Sequence, residues 1–178
     1  MLACSQEDQL QVAKQTQPSG SEHQNLDAFE KMGIQLIWQT GKPNAAMYQA
    51  AASPFGNVFV DSFINDMSAA YAAADMVVSR SGAMAVAEIA MTGKACIFVP
   101  YPHAAEDHQT HNAEVLVKEQ AARMIADKNV VAELFPMIEK LIDDKTVLNQ
   151  MQTKIKSFAW ENADQVIAAE IIHEIDSK

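Results

Sequence analysis

The stretch from Asp75 to Asn112, DMVVSRSGAMAVAEIAMTGKACIFVPYPHAAEDHQTHN, constrains the fold more than any other part of the chain. It reads as strand, Ser/Gly turn, helix, strand and a polar loop running into a helix. MVVS is a short apolar run of the kind that forms a buried parallel strand. Arg80-Ser81-Gly82 follows at once, and then AMAVAEIAM, rich in helix-forming Ala and Met. A turn passing straight from strand end to helix start leaves several backbone N–H groups pointing outward, and the helix dipole adds partial positive charge there. Phosphate or carboxylate is a natural guest. In this reading Gly82 allows the guest a close approach, Ser81 caps the helix or donates to the guest, and Arg80 lies beside it.

Glu88 is an acid within an otherwise apolar helix, placed where nucleotide sites commonly carry an acceptor for ribose hydroxyls. The second strand, ACIFVP, is closed by Pro100 and Pro102, and the loop beyond it supplies His103, Glu106, Asp107, His108, Gln109, His111 and Asn112. These groups emerge at the carboxyl end of the strand, where open α/β sheets bind ligands. Each has a bland alternative. The Arg80–Gly82 turn serves equally as an ordinary capped helix start, and Glu88 as a solvated helix acid. His103, His108 and His111 invite a metal, but HAAEDHQTH lacks the HExxH pattern and no cysteine assists, so a zinc site is disfavoured. Together the pieces describe a nucleotide-sugar pocket.

The run SRSGAMAVAEIAMTGKACIFVPYPHAAEDHQTHNAEVL resembles the donor-site signature of the MurG family, bacterial peptidoglycan glycosyltransferases that add N-acetylglucosamine to lipid I to make lipid II. The similarity extends from about Gly33 through Ile172, including IQLIWQTGK and FVDSFINDMSAAYAAAD. The resemblance implies an α/β fold, a Rossmann-like parallel sheet with flanking helices forming the C-terminal half of a GT-B enzyme. It implies UDP-N-acetylglucosamine as donor and lipid I as acceptor through an absent N-terminal domain. In the donor site, Ile64 would hold the uracil edge through its backbone, and Arg80, Ser81, Gly82, Ala83, Met84 and Ala85 would face the phosphates or sugar. Glu88 would take the ribose, and Gln109 and Asn112, i and i+3, would read sugar hydroxyls with His108 beside them. Inverting displacement at a cleft, a general base from the acceptor half, no cofactor and no DxD metal motif complete the expectation. So does a cytoplasmic location, peripheral on the inner membrane for the full enzyme.

The remaining sequence fits a single domain. At 178 residues and 49% apolar, the chain suits one sizeable core. No run reaches the ~18 to 20 apolar residues that span a bilayer. Cys4 and Cys96 are too few for a disulfide framework, which favours a reducing compartment, and the net charge of −10 argues against nucleic acid. Residues 1–24 are polar and Gln-rich, carry no strand-like run, and read as a poorly ordered or non-native arm before a donor domain at 25–178. Helices are expected over LDAFEKMG, PNAAMYQAAA, NDMSAAYAAAD with an Asn65 or Asp66 cap, Asp107 to Gln120, VVAELFPMIEKLIDD with a kink at Pro136, VLNQMQTKIKSFAWEN and ADQVIAAEIIHEID. Strands are expected over IQLIWQTG, NVFVDSFI and AARMIAD. Met32, Met76, Met84, Met91 and Met124 read as core filler, and Phe158 and Trp160 as anchors.

The MurG family opens this domain with a strand and a glycine-rich loop, and neither is evident here: no GGxxG-like loop occurs in the sequence. A parallel sheet without its first central strand exposes an edge. Three outcomes are expected: marginal stability, a dimer through the exposed sheet edge, or replacement of the strand by the N-terminal arm. Two other functional classes fit the same pattern. One is a different GT-B UDP-sugar enzyme, such as a 2-epimerase or lipid glycosyltransferase. The other is a non-catalytic nucleotide-binding or interaction domain.

Overall fold

The structure, a computed structural model, describes residues 11–15, 26–43 and 45–176. Among these described residues, six strands form one parallel sheet: β1 (Gln11–Gln15), β2 (Gln35–Gln39), β3 (Val58–Asp61), β4 (Met76–Ser79), β5 (Ala95–Phe98) and β6 (Arg123–Met124), in the order β3-β2-β1-β4-β5-β6. Among the described residues, eight α-helices alternate with or follow them: α1 (Leu26–Lys31), α2 (Ala45–Ala52), α3 (Met67–Ala73), α4 (Ala83–Thr92), α5 (His108–Lys118), α6 (Val130–Asp143), α7 (Lys145–Lys156) and α8 (Ala163–Asp176). The order reverses between β1 and β4, which is the switch point where doubly wound sheets bind ligands.

Burial on both faces explains why β4 and β5 read as continuous apolar runs: all four residues of each are buried. On one face Leu36, Trp38, Met76, Val78 and Ile97 pack with Leu26, Phe29, Tyr48 and the buried stripe of α6, Val130, Leu134, Ile138 and Leu141. On the other, Val77, Cys96 and Phe98 pack with Tyr71 of α3, Ile89 and Ala90 of α4, and Ala113 and Leu116 of α5. Local chemistry sets the helix ends. Asp66 caps α3, its carboxylate accepting the Ala69 N–H at 2.8 Å. Gly93 closes α4 at φ 65°, its N–H donating to the Ala90 and Ile89 carbonyls.

The principal correction concerns the first strand. Residues 1–24 carry no strand signal in sequence, yet Gln11–Gln15 forms the central strand, pairing in parallel with β2 and with β4. The sheet does not lack its first strand; the N-terminal arm supplies it. Pairing is made by backbone groups, so a polar segment QVAKQ completes the ladder wherever two strands leave a gap for it. The open edges are therefore β3 and the two-residue β6, not an unfilled centre. The rest of the expected arm, residues 1–10 and 16–24, lies outside the described residues, as does Cys4.

Smaller differences follow from exposure. Met32, Met76 and Met124 pack in or against the core, but Met84 and Met91 are exposed on α4. Phe158 packs against the core while Trp160 stands 73% exposed. α6 runs through Pro136 without a break in its helix. On α8, Val166, Ile167, Ile171, Ile172 and Ile175 are all exposed. No helix among the described residues is long and apolar enough to cross a membrane.

Phe98 is fully buried at the end of β5, so Phe98→Ala is expected to lower unfolding free energy by about 3–5 kcal/mol in a urea titration. Cys96 lies beside it, and burial pushes its thiol pKa up. In a Cys4→Ser background the native protein should therefore not react with Ellman's reagent at pH 8, and should react once urea unfolds it.

Candidate functional site

The site is built at the carboxyl ends of β4 and β5. β4 ends at Ser79 and the chain turns through Arg80 to Gly82 into α4. The first helical bond is the Val86 N–H to the Gly82 carbonyl, 3.0 Å. That leaves the N–H groups of Ala83, Met84 and Ala85 without an intrahelical acceptor, at the positive end of a ten-residue helix. Gly82 has φ −63° and ψ 150°, a conformation open to any residue. A Cβ added to it would meet no protein atom within 4 Å. Neither backbone strain nor internal packing requires glycine at that point, and its missing side chain leaves the elbow open to close approach from outside.

Ser81 does not cap the helix. It is fully buried, and its hydroxyl donates to the Gln109 carbonyl at 2.7 Å. The Asn112 side-chain amide donates to the Ser81 carbonyl at 3.0 Å, and the Gln109 side-chain oxygen accepts the Tyr101 N–H at 3.0 Å. Gln109 and Asn112 thus stitch the start of α5 to the elbow, so the two meet in space as the sequence implied. The entry to α5 is unusual: Glu106 and Asp107 are both left-handed, at φ 51° and 52°. Two such non-glycine residues in succession are strained, a state that concentrates in binding loops. Thr110 donates to the Asp107 carboxylate at 2.6 Å, and the exposed His108 ring meets the Ala105 carbonyl at 2.7 Å through Nδ1. His103 packs edge-on against Tyr101, and both are exposed.

Arg80 departs from its expected place. Its guanidinium donates to the Val99 and Pro100 carbonyls, both at 3.1 Å, and pairs with Asp127. It also lies 5.6 Å from the Tyr101 ring centre. These four contacts hold the cation as a brace between the β4 and β5 ends and the turn after β6, so it is not free beside the α4 N-terminus. The reason is local: carbonyls left unpaired where β5 ends at proline are strong acceptors, and a planar guanidinium satisfies several at once.

Glu88 is exposed on α4, as an acceptor for a ligand must be, and Tyr71 steadies it: the phenol donates to the Glu88 carboxylate at 3.2 Å. Burial first, and then the Glu88 charge and this bond, push the Tyr71 pKa well above its ordinary 10.0. The phenol therefore remains a donor throughout the neutral range. Ile64 lies on the far side of the switch point, after β3, where its N–H donates to the Gln39 side-chain oxygen at 2.8 Å. Sequence reasoning missed Tyr71, Asp127 and Gln39. Only Gln39 carried a readable signal, an amide at the carboxyl end of the QLIWQ strand, where sheets of this kind bind ligands.

Among the described residues no group of three or more His, Cys, Asp or Glu is placed to hold a metal ion. The arrangement offers N–H donors for an anion, a carboxylate for hydroxyls, an amide-bearing helix across the elbow and a backbone edge at Ile64.

Two consequences can be measured. Arg80→Gln leaves Asp127 and two carbonyls unpaired and is expected to cost about 1.5–3 kcal/mol in urea unfolding. For Tyr71 the sign is fixed by its raised pKa. The unfolded chain loses the phenol proton first, so stability should fall as pH rises above about 10. Tyr71→Phe should remove that share of the alkaline loss, read as a flatter unfolding-midpoint profile between pH 9.5 and 11, while costing less than about 1.5 kcal/mol at pH 7.

A family profile described as Glycosyltransferase family 28 C-terminal domain matches residues 3–167. The chain is 40% identical over 156 residues to the UDP-N-acetylglucosamine--N-acetylmuramyl-(pentapeptide) pyrophosphoryl-undecaprenol N-acetylglucosamine transferase of Flavobacterium psychrophilum, covering 86% of this chain and 41% of the relative. It is 43% identical over 143 residues to the protein of the same name from Geotalea daltonii, covering 79% and 39%. The chain spans about two fifths of the length of these relatives. Among solved structures, the crystal structure of Acinetobacter baumannii MurG matches with a TM-score of 0.78 at 28% identity, over 95% of this chain and 51% of that one. The glycotransferase of kitacinnamycin matches at 0.64 and 19% identity, over 93% and 42%, a likeness of fold alone.

Proposed function

Because the chain belongs to the glycosyltransferase family 28 C-terminal domain family, we propose that it is the donor-binding part of a glycosyltransferase and holds UDP-N-acetylglucosamine at the β4–α4 elbow. The observation that carries this reading is the trio of open N–H groups at Ala83, Met84 and Ala85, set at the switch point of the sheet with Glu88 on the same helix. A diphosphate suits the elbow by charge, and Glu88 suits a ribose by its exposure and carboxylate. Gln109 and Asn112, already tied to the elbow, leave the Gln109 amide nitrogen and the Asn112 amide oxygen for sugar hydroxyls. In this reading His108 flanks the sugar and the Ile64 backbone faces the base. Arg80 acts by bracing the elbow and not by touching phosphate.

In this reading the reaction is the transfer in the name of the Flavobacterium psychrophilum and Geotalea daltonii relatives, N-acetylglucosamine from its UDP donor to N-acetylmuramyl-(pentapeptide) pyrophosphoryl-undecaprenol. The resemblance read in the sequence makes this the step from lipid I to lipid II at the cytoplasmic face of the membrane. The elbow's part is electrostatic. As the glycosidic bond breaks, charge gathers on the departing diphosphate, and preorganised N–H dipoles stabilise it most in the transition state. The lipid acceptor and the base that deprotonates it are assigned to the portion of the relatives that this chain does not span. The isolated chain is expected to bind donor without turning it over.

Calorimetric titration of the chain with UDP-N-acetylglucosamine, UDP and ADP tests this. Uridine nucleotides should bind at least tenfold more tightly than ADP, and Glu88→Ala should weaken UDP about tenfold, the scale of one charge-assisted hydrogen bond. UDP binding no tighter than ADP, or unchanged in Glu88→Ala, would overturn the assignment.

A further inference from the structure

Gln39 ends β2, half-buried, and its Oε1 accepts the Ile64 N–H at 2.8 Å, a short bond between segments far apart in the chain. The loop that carries Ile64 has a second, separate anchor. Asp61, opposite Gln39 in the β2–β3 register, already accepts the Phe63 N–H at 3.3 Å and the Ser62 hydroxyl at 3.2 Å. Gln39 instead supplies an acceptor to a donor beside the cleft. A half-buried N–H left unpaired is costly, so an empty site needs such a partner.

The chemistry of that partner is informative. A primary amide sets a carbonyl acceptor beside an N–H donor, and so does the imide edge of a pyrimidine such as uracil. Adenine presents an amino donor beside a ring-nitrogen acceptor instead, with no carbonyl. Gln35, Ile37 and Gln39 share one face of β2, with Gln39 at its carboxyl end. On that face lies a cavity of about 490 Å³ bounded by Ile37, Phe59, Phe63, Ile64 and Ala70.

We propose that Gln39 is a resident surrogate for the nucleobase, filling the Ile64 N–H in the empty protein and giving way to the base carbonyl when nucleotide binds. This rests on the reading of Ile64 as the base contact and adds a residue that sets affinity by competing for it. Binding then exchanges one amide acceptor for another. A base that does not set a carbonyl acceptor beside an N–H donor reproduces the Gln39 amide less well and displaces it less readily.

The test is titration of the full chain and its variants with UDP, with inorganic pyrophosphate as a base-free control. Gln39→Leu removes the competitor, so UDP should bind about three- to tenfold more tightly, one modest hydrogen bond converted to affinity, with pyrophosphate unchanged. Gln39→Met, of similar reach and without an acceptor, should repeat the gain should the Leu variant fold poorly. Gln39→Glu places a stronger acceptor on the same N–H and should weaken UDP about threefold or more. Opposite shifts from one position, in variants with matching thermal midpoints, do not arise from general loss of structure. UDP binding by the wild type with no gain in the Leu and Met variants overturns the Gln39 proposal alone. Failure of the folded wild type and all variants to bind UDP overturns the nucleotide reading of the site and the proposal with it.

Discussion

The ladder that Gln11–Gln15 makes with both β2 and β4 is the interaction on which the other elements depend. Without it the sheet is two pieces, β2 with β3 and β4 with β5 and β6, each presenting an unpaired edge. With it the strand order turns over between β1 and β4, and that reversal opens the crevice into which the β4–α4 elbow faces. The site is thus a product of topology before it is a product of side chains. Nothing at Ser81 or Gly82 would matter if the neighbouring strand were missing.

Around the elbow, polar groups are spent on holding one another in place. The Ser81 hydroxyl meets the Gln109 carbonyl, the Asn112 amide meets the Ser81 carbonyl, and Arg80 spans Val99, Pro100 and Asp127. Such mutual satisfaction is what buried or half-buried polar groups require. Its effect is that the outward N–H groups of α4 stand on a rigid mount, with α5 locked one side of them and Tyr71 steadying Glu88 on the other. Preorganised donors of this kind act on developing charge without first having to move.

Much of this was legible in the residues themselves. MVVS and ACIF declared buried strands, Asn65 or Asp66 a cap, of which Asp66 is the one used, and the Ser/Gly turn a direct passage from strand end to helix start. What was hidden shares one physical cause: bonds whose strength lies in the backbone or in distant partners leave no local pattern. QVAKQ has no period-2 apolar face, so its strand is visible only once two neighbours need a ladder. Arg80 beside a turn reads as a ligand group until the carbonyls at the end of β5, and Asp127 well downstream, are seen to claim it. Ser81 reads as a cap until α5 folds back upon it. The Gln39 bond to Ile64 joins two strand ends that no motif connects.

The place of β1 also has a kinetic side. Val12 pairs with Met76, a partner far along the chain, whereas β2 and β3 are close neighbours in sequence. Loop closure of that length is paid in entropy before any contact repays it, and such pairings come late and slowly. Until it arrives, β2 and β4 are templates for any other strand at hand, including those of another copy. Dilution during refolding should therefore limit pairing between copies.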